Sequence, residues 1–168
     1  MSAITEIIVR LAGQADVEEI VAFSAAMAHE TEGRRLDVTR LRAGTASLLA
    51  TPEHGFFMVA EALGPEKREL VGQMMITFEW SDWRNGAFWW IQSVYVDPAW
   101  RRQGIYRTMH HSLLERAQAD PNVCGVRLYV ERENRTAQLV YQRVGLTPSG
   151  YTVFEQDFVL IRHQDSSS

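Results

Sequence analysis

The stretch from Trp89 to Gln118, WWIQSVYVDPAWRRQGIYRTMHHSLLERAQ, constrains this chain more than any other. Trp89 to Val96 is rich in the aromatic and β-branched residues that suit a packed, pleated surface, and it predicts a buried strand. Asp97-Pro98 ends that strand, because proline has no N–H to give a ladder. Arg101-Arg102-Gln103-Gly104 then opens a helix whose apolar side is Ile105, Met109 and Leu113, spaced by four. A strand that delivers a basic, glycine-containing turn onto a helix start brings unpaired N–H groups and the positive end of the helix dipole to one place. Such a place binds anions, and several donors at once suit a diphosphate better than a carboxylate. From these residues alone, a purely structural corner with solvated arginines stands beside the anion-site reading.

At 168 residues the chain is long enough to bury about 70% of its unfolded surface, and it is expected to form one domain over residues 1–168. Its last residues, from about 163 to 168, read as a frayed tail. Net charge is −4 and no lysine/arginine-rich run occurs, which argues against a nucleic-acid partner. A single cysteine, Cys124, excludes an internal disulfide and cannot hold a metal alone, so no metal is expected. No apolar run approaches the ~20 residues of a membrane span and no signal-peptide core is visible, so the expected location is cytoplasmic, away from membranes.

Taken in order, Glu6 to Ala12 reads as a first strand. Asp16 with Glu19 three residues on has the spelling of a capping box, and Val17, Ile20, Val21, Ser24 and Met27 follow as a core-facing helical stripe. Asp37 caps a second helix through Leu41, Leu48 and Leu49, ended by Thr51-Pro52. The polar link His29–Arg35 reads either as a solvated connection or as a substrate-facing loop in which Glu30 or Glu32 holds an ammonium group.

Gly55 to Ala62 and Leu70 to Trp80 are the next strands. Asn85-Gly86 between aromatic strands is a strong hairpin signal. With those two residues as the loop, paired residue numbers sum to about 171, which sets Glu79 opposite Gln92 and Thr77 opposite Val94. A bulge would shift that register. Of the hairpin's tryptophans, Trp80, Trp83, Trp89 and Trp90, some are expected in the core and others as the wall of an acceptor pocket. A fifth strand is expected over Val126 to Val130, parallel to the fourth because a helix crosses between them. Asn134 then caps a last helix that stops at Gly145, and Asn134, Ala137, Gln138 and Tyr141 share one face of it. Leu146 to Leu160 reads as two closing strands around Ser149-Gly150.

Two spellings carry a resemblance. Arg101-x-x-Gly104-x-Tyr106, following Val94-Tyr95-Val96-Asp97-Pro98, resembles the coenzyme A signature of the GNAT N-acetyltransferase superfamily, with Tyr106 where that signature has Gly or Ala. Glu131-x-x-Asn134-x-x-Ala137-x-x-x-Tyr141-x-x-x-Gly145-Leu146 resembles the family's other signature. The two span roughly residues 87–147, in the family's order. The resemblance implies an α/β (α+β) fold: a mixed, mostly antiparallel central sheet with parallel, splayed fourth and fifth strands and about four flanking helices. It implies acetyl-CoA as co-substrate and a primary amine of a small molecule or amino acid as acceptor, with transfer direct between them. Arg101, Arg102, Gln103, Gly104, Ile105, Tyr106 and Arg107 would hold the diphosphate, mainly through backbone N–H groups. The backbone of Val94, Tyr95 and Val96 would pair with the pantetheine, and an N–H near Val94 would polarise the thioester carbonyl. Asn134 and Tyr141 would meet the coenzyme, with the Tyr141 phenol placed to protonate the departing sulfur.

Many family members carry a glutamate on the fourth strand where this chain has Gln92, which cannot take a proton. The base must then come from elsewhere or from a water chain: Glu79 is the first candidate, with Glu32 and Glu131 behind it, and a solvated Glu79 with an amine that arrives already neutral stands beside that reading. Glu30, Glu32, Trp80 and Gln92 are the expected acceptor contacts. His110 and His111 read as packing or surface residues. Three functions remain open on the sequence: an N-acetyltransferase, a GNAT-like coenzyme-binding module that senses or regulates without turnover, and a plain nucleotide-binding α/β protein. A homodimer is left open too.

Overall fold

The structure, a computed structural model, describes residues 6–65 and 67–160; the tail expected at 163–168 lies outside them. It has two compact units, one extending through Asn134 and one beginning at Arg135. The first contains β1 (Glu6–Leu11), α1 (Val17–Glu32), α2 (Val38–Ala50), β2 (Gly55–Leu63), β3 (Arg68–Ser81), β4 (Gly86–Val96), α3 (Ile105–Ala119) and β5 (Val123–Leu128). The five strands form one sheet in the order β1-β2-β3-β4-β5, antiparallel throughout except for the parallel β4–β5 pair. That mixed sheet with its helices is the expected fold class.

Strand alternation sends one set of side chains to each face of the sheet. Met58, Met74, Ile76 and Ile91 pack with Ile105, Met109 and Leu113 of α3, the i, i+4, i+8 stripe read from the sequence. Phe57 and Val59 face the other way and pack with Ile20 of α1 and Leu48 and Leu49 of α2. Met58, Met74, Met109 and Leu113 are wholly buried, each worth about 1.5–3 kcal/mol of transfer free energy. His110 is buried as well, against Tyr106, whereas His111 lies on the surface 3.6 Å from Glu115.

Local chemistry explains the ends of several elements. Asp37 accepts from the N–H groups of Thr39 and Arg40, as a capping residue should. Asp16 stands at the N-cap of α1, but its side chain makes no capping hydrogen bond to that helix. Its carboxylate instead accepts two bonds from Arg10, at 2.8 and 2.9 Å, and one from the Gly13 N–H at 2.8 Å. A nearby guanidinium outcompetes the capping box that the spacing with Glu19 suggested, because charge-assisted bonds are the stronger ones.

The hairpin register also differs from expectation. The β3–β4 turn is the four residues from Asp82 to Asn85, with Ser81 paired to Gly86, not a two-residue Asn85-Gly86 loop. Glu79 accordingly faces Phe88, and Thr77 faces Trp90. Asn85 supplies the left-handed residue the turn needs, at φ 47°. Gly86 is spent elsewhere: a Cβ there would lie 3.0 Å from the Asn122 carbonyl and 3.1 Å from Cys124, where the start of β5 closes on the strand. A β-bulge follows, since Ile76 pairs with Ile91 and Met75 with Ser93, leaving Gln92 as the extra residue.

The second unit contains α4 (Arg135–Arg143). It ends as the sequence predicts, with Gly145 at φ 93°, its N–H on the Gln142 carbonyl and the Leu146 N–H on Tyr141. The two closing strands expected over Leu146–Leu160 are not formed. Alternation alone does not make a strand; the backbone groups need a ladder partner, and here Asp157 takes the Val159 and Leu160 N–H groups at 2.7 Å, which bends the chain.

Candidate active site

Beyond Ile91, paired with Leu128, β4 loses its β5 partner, while its other edge stays paired to β3 through Val96. Gln92 to Val96 thus presents one row of main-chain N–H and C=O groups with no strand opposite among the described residues. This is the splay that the resemblance implied, and it includes Val94, Tyr95 and Val96. At the end of that open edge, Asp97 caps a single 3₁₀ turn, Pro98–Trp100, by accepting from the Ala99 N–H.

The basic turn follows. Arg102 and Gly104 are both left-handed, at φ 65° and 81°, and they fold the chain into the N-terminus of α3. A Cβ built on Gly104 meets nothing within 4 Å, so that side of the turn is open space. Arg102, Gln103 and Arg107 are exposed, and the Gln103 amide reaches back to the Ala99 carbonyl at 3.1 Å. Ile105 is buried, so only its backbone can serve a ligand. Tyr106, the departure from the coenzyme signature, runs along α3 toward His110 Nδ1 at 3.3 Å rather than across the turn.

Arg101 behaves differently from its neighbours. Its Nε donates to the Val96 carbonyl at 3.0 Å and its Nη2 to Glu30 Oε2 at 2.7 Å. Glu30 Oε1 accepts from the Tyr95 hydroxyl, also at 2.7 Å. The Tyr95 bond first, and Arg101 second, hold the Glu30 carboxyl below its usual range. Burial and the Glu30 bond push the Tyr95 phenol up to about 12. The Glu30 carboxylate, expected to meet the acceptor, is therefore engaged by two residues expected to meet the coenzyme. Glu32 lies 3.5 Å from Arg34 and joins none of this.

A second polar group lies on the α1–α2 face of the sheet. Gln92, displaced by the bulge, donates to Thr77 Oγ1 at 2.8 Å and accepts from the Tyr129 hydroxyl at 2.9 Å. Glu79 accepts from Trp90 Nε1 at 3.0 Å and from Arg127 at 2.6 Å. The Arg127 guanidinium also sits 3.6 Å from the Phe88 ring centroid, and Tyr129 packs on Trp90 with centroids 5.7 Å apart. Glu79 and Gln92 thus share a face without being cross-strand neighbours. Both oxygens of Glu79 are occupied, one by Trp90 Nε1 and one by the Arg127 guanidinium, so it anchors those two side chains.

Trp80 is not part of this group. Paired with Ala87, it points to the opposite face and is 63% exposed. Trp89 packs on that face as well, against Phe56 and Phe78. Of the hairpin tryptophans, only Trp90 stands among the candidate acceptor residues. Thr77, Arg127 and Tyr129 were missed from sequence. A signal existed for the last two: Val126-Arg127-Leu128-Tyr129-Val130 alternates, which puts Arg127 and Tyr129 on one face of the strand expected there, although β5 runs from Val123 to Leu128 and Tyr129 lies just past its end.

Within the second unit, Tyr141 is half-buried on α4, and burial pushes its phenol above the ordinary range. Asn134 ends the first unit, with its N–H on the Glu131 carbonyl at 3.0 Å. No group of three or more potential metal ligands occurs among the described residues, and no described helix is long and apolar enough to cross a membrane.

Comparison with known proteins agrees with this geometry. No curated protein sequence matches the chain. Among solved structures, one titled "a possible acetyltransferase from Clostridium difficile 630" is 37% identical, with a TM-score of 0.84 over 92% of this chain and 99% of that one. The aminoglycoside N-acetyltransferase AAC(6')-Iy, solved in complex with CoA, has a TM-score of 0.72 over 91% of this chain and 95% of its own, at 13% identity, a likeness of fold. An integron cassette protein, HFX_CASS3, from the mobile metagenome of Cole Harbour Salt Marsh shares the fold at 22% identity, with a TM-score of 0.76 over 93% of each chain. The model of the acetyltransferase (GNAT) family matches residues 17–146, which include the open edge of β4, the left-handed turn and the helix of Tyr141. With most of its length matched and its open strand edge leading into that turn, this chain belongs to the GNAT acetyltransferase family.

Proposed function

We propose that the chain, as a single catalytic domain over residues 1–168, is an acetyl-CoA-dependent N-acetyltransferase acting on a primary amine of a small molecule or amino acid. The observation that carries this reading is the continuity of an unpaired β4 edge with an open, left-handed turn at a helix N-terminus. A long ligand with an amide-bearing arm and a diphosphate fits such a run. The arm takes main-chain groups along Val94 to Val96, apart from the Val96 carbonyl that Arg101 already holds, and the diphosphate takes the N–H groups from Arg102 to Arg107. The first N–H groups of any helix have no intrahelical acceptor, and the helix dipole favours an anion there.

Bound acetyl-CoA supplies an acetyl thioester, from which the acetyl group passes to the amine nitrogen while the sulfur leaves and is protonated. A backbone N–H near Val94 stabilises charge on the carbonyl oxygen, an effect worth ~10²–10³ in rate where one such donor has been removed. Trp90, Tyr129, Thr77 and Gln92 form the acceptor floor. Tyr141, whose raised pKa keeps its proton at working pH, donates to the sulfur. Glu79 orients Arg127 and Trp90, and the amine gives up its proton to solvent.

The test is thiol release from acetyl-CoA across a panel of small amines and amino acids. At least one amine class should release thiol, and Tyr141→Phe should bind acetyl-CoA normally while turning over ~10²–10⁴-fold more slowly. Binding of acetyl-CoA with no release from any amine would replace the enzyme by the sensor module. The cytoplasm, with its acetyl-CoA supply, is the compartment this function needs.

A further inference from the structure

We propose that Glu30, Tyr95 and Arg101 form a positioning strut, running from the last turn of α1 across β4, that sets the left-handed turn at Arg102–Gly104 for the coenzyme. It rests on the reading of that turn as the diphosphate site. The three side chains close a ring. Tyr95 donates to one oxygen of Glu30, Arg101 to the other, and Arg101 bonds at the same time to the Val96 carbonyl. The Arg101 guanidinium carbon also lies 5.4 Å from the Tyr95 ring centroid. Tyr95 is itself fixed, 7% exposed and packed on Phe23 at 5.4 Å between centroids.

Two physical points make this a device rather than a surface ion pair. First, Arg102 is a side-chain-bearing residue held at φ 65°, a conformation that persists only where the surroundings impose it. Its preceding residue, Arg101, is the one anchored at three points. Second, the planar guanidinium bonds the Val96 carbonyl through Nε and the Glu30 carboxylate through Nη2 in one fixed geometry, which an ammonium on a flexible stem does not reproduce. The bulge at Gln92 is what makes the ring attainable. Without the extra residue, Tyr95 would point to the α3 face, away from Glu30.

Arg101 thus acts on the coenzyme through the turn's shape, not through its charge. A charge role predicts that Arg101→Lys keeps acetyl-CoA binding; a strut predicts that it does not. We expect Arg101→Lys and Glu30→Gln each to weaken acetyl-CoA binding, and raise its KM, about tenfold, with kcat and the KM of the amine within about twofold of wild type. Acetyl-CoA affinity in Arg101→Lys equal to wild type overturns the strut. A second measurement needs no ligand: limited trypsin cleavage of the unliganded chain after Arg102. It should be about tenfold faster in Glu30→Gln and in Tyr95→Phe than in wild type, with cleavage elsewhere unchanged. Unchanged cleavage after Arg102 overturns the strut whether or not acetyl-CoA binds. Wild-type protein that fails to bind acetyl-CoA overturns the proposed function instead, and the cleavage result still decides the strut.

Discussion

The two halves of β4 belong to one strand and have opposite fates. From Gly86 to Ile91 the strand has β3 on one side and β5 on the other; from Gln92 to Val96 it has β3 alone. The first half is packed tightly enough that Gly86 and Gly125 are needed for contact: a Cβ on Gly125 would lie 2.6 Å from the Phe88 ring. The second half is less crowded on that edge and ends in a turn with open space beside Gly104. One half builds the sheet, and the other is left with backbone groups to offer. The boundary is the bulge at Gln92, which turns the face of every later residue and so aims Tyr95 at Glu30.

The largest expected effect breaks the open half. Gly104→Pro forces φ near −65° where the chain requires 81°, and it deletes an N–H from the turn. Acetyl-CoA at saturating concentration should raise the melting temperature of the wild type and leave that of this variant unmoved, an affinity loss of at least ~100-fold. Gly104→Val, strained by about 1–2 kcal/mol but with its N–H intact, should show an intermediate shift. Should both melt and respond like wild type, the coenzyme does not use this turn.

Gly125→Ala strikes the closed half. The added methyl runs into the Phe88 ring, which also carries the Arg127 guanidinium over it, and overpacking of this kind costs about 1–3 kcal/mol. Chemical denaturation should show that loss, while acetyl-CoA affinity stays within about threefold of wild type. Equal damage to affinity would mean that the two halves are not separable.

Glu30 sharpens the comparison through pH. Its carboxyl is held below the usual range near 4.5, so its bonds to Tyr95 and Arg101 contribute stability that is fully present above that range and is lost as pH falls through the lowered value. For a partly exposed pair the contribution is at most about 1 kcal/mol. The stability gap between wild type and Glu30→Gln should be constant from pH 6 to 9 and shrink below about pH 4.5. A gap that changes between pH 6 and 8 would point to another titrating group.

The smallest effect is expected at Glu79. Glu79→Gln removes the charge facing Arg127 but keeps the side chain's shape, so stability should change by less than about 1 kcal/mol. Turnover should stay within about tenfold and keep the wild-type pH profile. A changed profile would restore Glu79 as the base in spite of its two partners.

How much of this was legible in the chain depends on the range over which each feature is decided. The order of strands and helices, the Asp37 cap, the Gly145 stop, the α3 stripe, the parallel fifth strand and the glycine turn were all readable, because each is set within a few residues by period, capping or backbone conformation. The register of the hairpin was not: Asn85-Gly86 has the spelling of a tight turn, yet Gly86 is required by its contact with Asn122 and Cys124, far along the chain. Asp16 was misread for the same reason, since Arg10 sits across a turn rather than at a helical spacing. The closing strands over Leu146–Leu160 failed because alternation describes one edge only, and a strand also needs a partner.

The sequence by itself determined the family's two signatures, the sheet-forming and helix-forming segments and the place of the basic turn. Tertiary structure alone decided that Gln92 is a bulge, that Tyr95 faces α1, that Glu30 belongs with Arg101 and that Arg127 occupies Glu79. The physical reason is that a one-residue change in strand register reverses every side chain beyond it. Register is settled by packing between segments distant in sequence, which no local pattern records.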